Sequence, residues 1–279
     1  MCIQAMSVVT RFAPSPNGPL HLGHALSAVI AFDEAVRASG EFLLRIEDID
    51  GPRSRPECAD EFRRDLEWLG LEWREVPAQS TRLASYGAAA RRLENAGLLY
   101  KCTATRRQLQ RLPPRIGEDG VQYPAGSKGR FCDPGAGEAY ALRLDIDAAL
   151  ERVGTLAWDD AIAGAVIADP RQFGDVVIVR KDLPASYHLA ATLDDAADGV
   201  TLVTRGMDLF ASTHVHRVLQ ELLQLPVPRY LHHKLILDDS GEKLAKSRGS
   251  PALSDRRRAG EDGRALADQL REMQMIAGT

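Results

Sequence analysis

Two histidines three residues apart, His21 and His24, follow a turn stiffened by Pro14 and Pro16 and stand where an apolar helical pattern begins. Backbone N–H groups and the helix dipole at such a place favour an anion. Gly23, between the two, lets a nucleotide approach the backbone closely. Both imidazoles share one face and can donate to phosphate oxygens as charge builds during attack at an α-phosphate. Far downstream, Lys243 and Lys246 are again three apart, on a loop that follows the turn Asp238-Asp239-Ser240-Gly241. A mobile lysine loop can close over a triphosphate and neutralise the departing pyrophosphate. Each motif alone also fits a plain role, a structural helix start for the histidines and a solvated surface loop for the lysines.

The elements that must position these groups follow an alternating order. A short β-branched strand, Ser7 to Phe12, runs into the proline turn, and a helix from His24 to Ala38 stops at Gly40. Phe42 to Ile46 reads as the next strand, followed by helices over Asp60 to Leu69 and Tyr86 to Ala96. Strand, helix, strand, helix is the pattern of a parallel α/β sheet. Between Gly97 and Gly137 the rhythm breaks. That stretch carries Lys101, Arg106, Arg107, Arg111, Arg115, Lys128 and Arg130 against Glu118, Asp119 and Asp133. It reads either as an inserted subdomain with a positive face or as a solvated loop with scattered charge. Regular order is expected again after Tyr140: a strand over Phe173 to Val179, a helix over Tyr187 to Ala197, a strand over Val200 to Thr204 and a helix over Thr213 to Leu223. Ser254 to Ile276 is charged and weakly helical.

The expected fold is therefore α/β, a doubly wound Rossmann-type parallel sheet with an inserted subdomain and a small helical C-terminal part. The expected divisions are 1–96 for the first half of the catalytic domain, 97–139 for the basic insert, 140–223 for the second half, and 224–279 for the lysine loop and helical tail.

Composition sets outer bounds. The 279 residues are 44% apolar and 27% charged, values of an ordinary folded chain, which exclude disordered and fibrous classes. Lysine plus arginine number 35 against 39 acidic residues, a net charge of −4, so bulk charge does not hold a partner, although a local basic patch stays open. No apolar run approaches the roughly 20 residues of a membrane span. Met1 to Ser7 lacks a basic stretch leading into an apolar one, so a secretory signal is not expected and a cytoplasmic location is. Cys2, Cys58, Cys102 and Cys132 are scattered and never form C-x-x-C, so no disulfide framework is expected.

Taken together, the segments Arg11-Phe12-Ala13-Pro14-Ser15-Pro16-Asn17-Gly18-Pro19-Leu20-His21-Leu22-Gly23-His24 and Lys243-Leu244-Ala245-Lys246-Ser247 resemble the HIGH and KMSKS signatures of class I aminoacyl-tRNA synthetases. The first is similar to the glutamyl/glutaminyl branch in particular. Leu44 to Asp50, Leu66 to Trp73 and Arg205-Gly206-Met207-Asp208-Leu209 extend that resemblance in the right order; Ala245 and Met207 are mild departures. The resemblance implies ATP-dependent activation of L-glutamate, with Mg2+ on the phosphates. It implies His21, His24 and Lys246 as catalytic groups, and His21, Gly23, His24, Lys243 and Lys246 as the ATP site. The glutamate pocket falls on Arg11, Ala13, Ser15, Glu47, Tyr187 and Arg205. The chemistry suits glutamate: arginine forks can hold carboxylates, Glu47 can pair with the ammonium, and Tyr187 can donate to a carboxylate oxygen. Outside that resemblance, both arginines read equally as structural ion-pair partners and Tyr187 as core.

Only 32 residues follow Ser247, too few for an anticodon-binding domain, so the chain resembles a stand-alone catalytic half. The glutamyl-Q tRNA(Asp) synthetases have that shape. The likeness implies activation without tRNA and transfer of glutamate to queuosine in the anticodon loop of tRNA(Asp), a splayed single-stranded target. The basic insert and Arg256, Arg257 and Arg258 would then contact phosphates. A monomer and no membrane partner are expected. The alternatives are a truncated enzyme charging a conventional tRNA 3′ end, an enzyme making a small-molecule adenylate, and an inactive RNA-binding paralogue. The family's zinc positions fall on Cys102, Ala104, Tyr123 and Ser127. Two of four ligands are lost, so zinc is not expected, with Cys132 the one conceivable replacement.

Overall fold

The computed structural model describes residues 7–116, 122–124, 126–237 and 251–277. Strand β1 (Val9–Phe12) is β-branched at Val9 and Thr10 and buried from Thr10 onward. The turn after it delivers helix α1 (Leu22–Arg37), whose N-cap is His21. Gly40 returns the chain against β1: a Cβ there would stand 1.9 Å from the Val8 carbonyl oxygen, so only glycine fits. Strand β2 (Glu41–Leu44) then lies parallel to β1, from Val9 opposite Glu41 to Phe12 opposite Leu44. Helix α2 (Pro56–Trp68) starts four residues earlier than its apolar face indicates, because Pro56 is suited to a first helical turn. Strand β3 (Arg74–Glu75) adds to β2 in parallel, and α3 (Leu83–Asn95) follows.

The chain next leaves this sheet. Strand β4 (Leu99–Cys102), the single turn α4 (Arg106–Leu109) and the antiparallel ribbon β5 (Arg115–Ile116) and β6 (Gln122–Tyr123) lead to β7 (Ala141–Leu144). Strand character at Ala141 does not bring the chain back to the parallel sheet, because β7 pairs antiparallel with β4. Helix α5 (Ile146–Val153) connects to β8 (Ala157–Asp160), which forms a hairpin with β9 (Gly164–Ile167). The strand expected over Phe173 to Val179 is shorter. Pro170–Phe173 is a 3-10 turn, Gly174 turns the chain at φ 61°, and only β10 (Val177–Val179) extends, antiparallel to β7.

Helix α6 (Tyr187–Ala197), strand β11 (Leu202–Gly206), helix α7 (Ser212–Leu223) and strand β12 (Arg229–His233) complete the sheet, with β11, β12 and β8 parallel. Thr201 N donates to the Val9 carbonyl at 2.9 Å and Val9 N donates to Thr201 Oγ1 at 2.8 Å, which joins the two sets of strands at β1 and β11. The spatial order is thus β3-β2-β1-β11-β12-β8, the doubly wound arrangement, reversing between β1 and β11. The weakly helical tail divides at Gly260 into α8 (Leu253–Arg258) and α9 (Gly263–Ala277). Leu253, Leu266, Ala267 and Leu270 from it pack with Ala25, Leu26 and Val29 of α1 in one core. A second core gathers α3, α5, α6 and α7 around Tyr86, Ile146, Leu189 and Leu219. Among the described residues, no helix is long and apolar enough to cross a membrane.

Candidate active site

In an open α/β sheet, ligands settle beyond the carboxyl ends of the strands where the order reverses. A cavity of about 770 Å³ lies at that place. The end of β1 and the turn after it supply Arg11, Ala13 and Ser15, and the start of α1 supplies His21, Gly23 and His24. Glu47 follows β2, Tyr187 opens α6, and Arg205 lies near the end of β11. All nine sequence-predicted residues that fall among the described ones therefore border one space. Lys243, Ala245 and Lys246 lie outside the described residues.

The two imidazoles are oriented by the backbone they cap. His21 Nδ1 accepts from Gly23 N at 3.1 Å, and His24 Nδ1 accepts from His21 N at 3.2 Å, a reciprocal capping box. Their rings tilt against each other with centroids 3.9 Å apart. Because both Nδ1 atoms accept, the proton of each neutral ring belongs on Nε2, which makes that atom a donor. Residues that sequence reasoning passed over also border the cavity, including Ser27 and His233, as does Asp208 of the Arg205 to Leu209 segment. Ser27 Oγ lies 2.9 Å from His233 Nε2 and ties α1 to the end of β12. No local pattern marks that pair, 206 residues apart.

Beneath the cavity lies a buried charge layer. Arg11 and the fully buried Arg45 converge on Asp195, with Nε–Oδ1 at 2.9 Å and Nη2–Oδ1 at 2.8 Å respectively. Arg45 also meets Asp198 at 2.9 Å and Glu47 at 3.3 Å. Burial pushes the Asp195 carboxyl up, but Arg11 and Arg45 outweigh it and hold the group at about 2. For Glu47 the balance reverses: burial outweighs Arg45 and Arg11, and the carboxyl is pushed up to about 7. A cation arriving beside Glu47 would favour its ionised form, the chemistry of an ammonium pocket.

Arg205 faces the cavity from a different frame. Nη1 donates to the Tyr187 hydroxyl at 3.2 Å, Nη2 to Thr213 Oγ1 at 2.5 Å, and Nε to His232 Nε2 at 3.0 Å. The guanidinium also lies over the Tyr230 ring, 5.4 Å from its centroid. Nη1 also lies 3.4 Å from His216 Nδ1, so the guanidinium is held on both sides where it borders the cavity beside Tyr187.

The zinc positions hold a different cluster. Cys102 Sγ and Ser127 Oγ are 3.2 Å apart, and the Tyr100 hydroxyl lies 2.9 Å from Ser127 Oγ and donates to Asp175 at 2.6 Å. Ala104 has no donor atom, and Cys132 Sγ is turned to the backbone of Ser127 and Gly129. The Tyr123 side chain lies outside the described residues. This donor set does not fit tetrahedral zinc. Among the described residues no group of three or more histidine, cysteine, aspartate or glutamate side chains is placed to hold a metal.

A cavity thus lies at the switch point of a doubly wound sheet, with a capping histidine pair and a buried arginine on its wall. The family described as tRNA synthetases class I (E and Q), catalytic domain, matches residues 7–275, and the chain belongs to it. Within that family it is 47% identical over 269 residues to a glutamyl-Q tRNA(Asp) synthetase of Rhodobacter capsulatus, covering 91% of this chain and 96% of that one. A glutamyl-Q tRNA(Asp) synthetase of Symbiobacterium thermophilum is 38% identical over 277 residues, covering 93% and 84%. Among solved structures, a glutamate-tRNA synthetase from Elizabethkingia anophelis matches with a TM-score of 0.72 at 27% identity, over 87% of this chain and 53% of that one. The chain thus spans about half the length of that solved enzyme.

Proposed function

We propose that this chain activates L-glutamate with ATP in the absence of tRNA and then transfers the glutamate to queuosine in the anticodon loop of tRNA(Asp). The observation that carries the first step is the sharing of one cavity by the Arg205–Tyr187 edge and the His21–His24 pair. An acid group held at the former has its α-carboxylate free to reach a phosphate held at the latter. The carboxylate oxygen attacks the α-phosphorus in line. The acyl–phosphate bond forms, the bond to the bridging oxygen breaks, and its electron pair leaves on pyrophosphate. The Nε2–H groups of His21 and His24 donate to phosphate oxygens as that charge develops. Lys243 and Lys246 are proposed to cover the same phosphates. Magnesium, which binds through phosphates and few carboxylates, would enter with the nucleotide and offset its charge. In the second step a hydroxyl of the queuosine cyclopentenediol attacks the activated carbonyl and AMP leaves, so no protein nucleophile is required.

The names and near-full coverage of the two relatives support the queuosine acceptor. Basic residues of the 97–139 segment would supply the cationic groups such a loop needs, whereas Arg256, Arg257 and Arg258 are already ion-paired with Glu261, with Glu61 and Asp65, and with Asp255. Two measurements test the reading. Glutamate-dependent ATP–pyrophosphate exchange without tRNA is expected, and its absence at millimolar glutamate would leave the inactive paralogue. Labelled glutamate should then attach to tRNA(Asp) from cells that make queuosine and not to tRNA(Asp) from cells that cannot. Equal labelling of both would reject the acceptor.

A further inference from the structure

Three adjacent parallel strands end in a buried line of polar groups that reaches the cavity only at Arg205. Asp160 closes β8, His232 lies on β12, and Arg205 lies on β11 directly opposite His232 in register. Asp160 Oδ1 accepts from the N–H groups of Ile162 and Ala163, both at 2.9 Å, and Asp160 Oδ2 lies 2.7 Å from His232 Nδ1. On the other side of the ring, Arg205 Nε donates to His232 Nε2 at 3.0 Å. The side chains of Asp160 and His232 are wholly inaccessible to solvent.

The proton count of this line has one solution. An arginine Nε–H can only donate, so His232 Nε2 must accept. An ionised carboxylate can only accept, so His232 Nδ1 must carry the proton. Burial pushes the Asp160 carboxyl up, but the Ala163 and Ile162 N–H groups and His232 more than compensate and hold it below the usual carboxylate range. Burial and the neighbouring Arg205 cation press the His232 ring down to about 4, which leaves it neutral. Tyr230 stacks on the ring at 5.9 Å and Trp158 meets it edge-on at 5.7 Å, so its plane is fixed as well.

We propose that Asp160 and His232 are positioning residues for substrate recognition: Asp160 sets the His232 tautomer, and His232 Nε2 sets the rotation of the Arg205 fork toward Tyr187 and the cavity. This rests on the proposed glutamate pocket, since Arg205 is the group that meets the substrate. Neither residue touches substrate, and each acts through the next in line. With Nε2 protonated, two donors would face each other across 3.0 Å and the guanidinium would swing off Tyr187.

Asp160→Asn is the informative variant. Its side-chain carbonyl keeps the Ile162 and Ala163 bonds while its amide donates toward His232 Nδ1, which moves the ring proton to Nε2. The KM for glutamate in pyrophosphate exchange is expected to rise about tenfold or more, the scale of one hydrogen bond to a charged group, with the KM for ATP within about twofold. His232→Gln, which can accept from Arg205 and donate to Asp160, should restore most of the glutamate affinity that His232→Leu loses. Nitrogen-15 shifts of the unliganded enzyme read the tautomer directly: Nδ1 protonated in the natural protein, Nε2 protonated in Asp160→Asn. A natural protein protonated at His232 Nε2 overturns the proposal, and so does an unchanged glutamate KM in an Asp160→Asn variant whose tautomer has switched. Arg205→Ala separates the two readings. If it keeps full glutamate-dependent exchange, the pocket itself is misplaced. If it is inactive while Asp160→Asn behaves as the natural enzyme, only the positioning line fails.

Discussion

Arg11 and Asp195 meet through two bonds, Nε to Oδ1 at 2.9 Å and Nη2 to Oδ2 at 3.3 Å, across 184 residues of chain. A third bond, from Nη1 to the Thr204 carbonyl at 3.1 Å, ties the same guanidinium to β11. Arg11 borders the cavity and is at the same time a structural ion-pair partner. With five N–H donors and three of them committed to the brace, the guanidinium keeps a cavity-facing edge on a fixed base.

Removing the brace should therefore cost stability first. Asp195→Ala leaves Arg11 with the Thr204 carbonyl alone of these bonds and takes one of several carboxylates from Arg45 in a buried layer, and is expected to destabilise the fold by about 3 kcal/mol. Asp195→Asn, which still accepts, should cost less. Urea midpoints measure both, and a midpoint for Asp195→Ala equal to that of the natural chain contradicts the account.

Glu47 gives the stability a pH dependence of definite sign. Its folded pKa of about 7 lies above its ordinary value of 4.5, so the folded state binds the extra proton between them. Its contribution is whole below about pH 4.5 and is lost as pH rises through 7. Asp195, held at about 2, loses its contribution only as pH falls well below its ordinary 3.8. His188 and His232, pushed down to about 4 by burial, oppose Glu47 at mildly acid pH, so the readout is a difference. The stability of Glu47→Gln minus that of the natural protein should grow from about pH 5 to about pH 8, and a flat difference would remove the raised pKa from the picture.

Capping and chemistry can be separated at His21. His21→Ala loses the cap on Gly23 N, about 1 kcal/mol, and is expected to lower pyrophosphate exchange by about 10²-fold or more. His21→Asn, which can cap, should recover the thermal midpoint without recovering the rate. Equal recovery of both would make His21 a structural residue only.

The Tyr100 hydroxyl bridges Asp175 and Ser127, the latter one of the positions that the resemblance would assign to zinc. Tyr100→Phe is expected to destabilise the protein by about 1–3 kcal/mol, because Asp175 loses a buried partner. Incubation with EDTA should leave the thermal midpoint of the natural chain in place, and a chelator-dependent fall would show that a metal does contribute here.

Much of the first half is legible along the chain because its signals are local. Gly40 ends a helix, Pro14 and Pro16 end a strand, and the apolar periods between them are strong. Elements set by backbone punctuation are harder to delimit: Pro56 draws α2 forward, and Gly174 cuts a run of apolar residues down to the three of β10. The site residues could be gathered because a family resemblance carries them, although nothing in the sequence states what braces them. Asp195 against Arg11, His232 against Arg205 and Ser27 against His233 are pairings made by the sheet, between segments distant in sequence. Arg45 shows the same limit: a charge in an apolar run marks burial in a counter-charged layer only once Asp194, Asp195 and Asp198 are brought beneath it.

The seam between β1 and β11 also governs when the pocket can come into being. The β1 turn and helix start are synthesised by the time residue 27 is added, Glu47 and Tyr187 follow, and the β11 and β12 wall comes only after residue 203. A nascent chain therefore carries part of a mould through most of its synthesis, and the cavity has no complete surface until Thr201 docks on Val9.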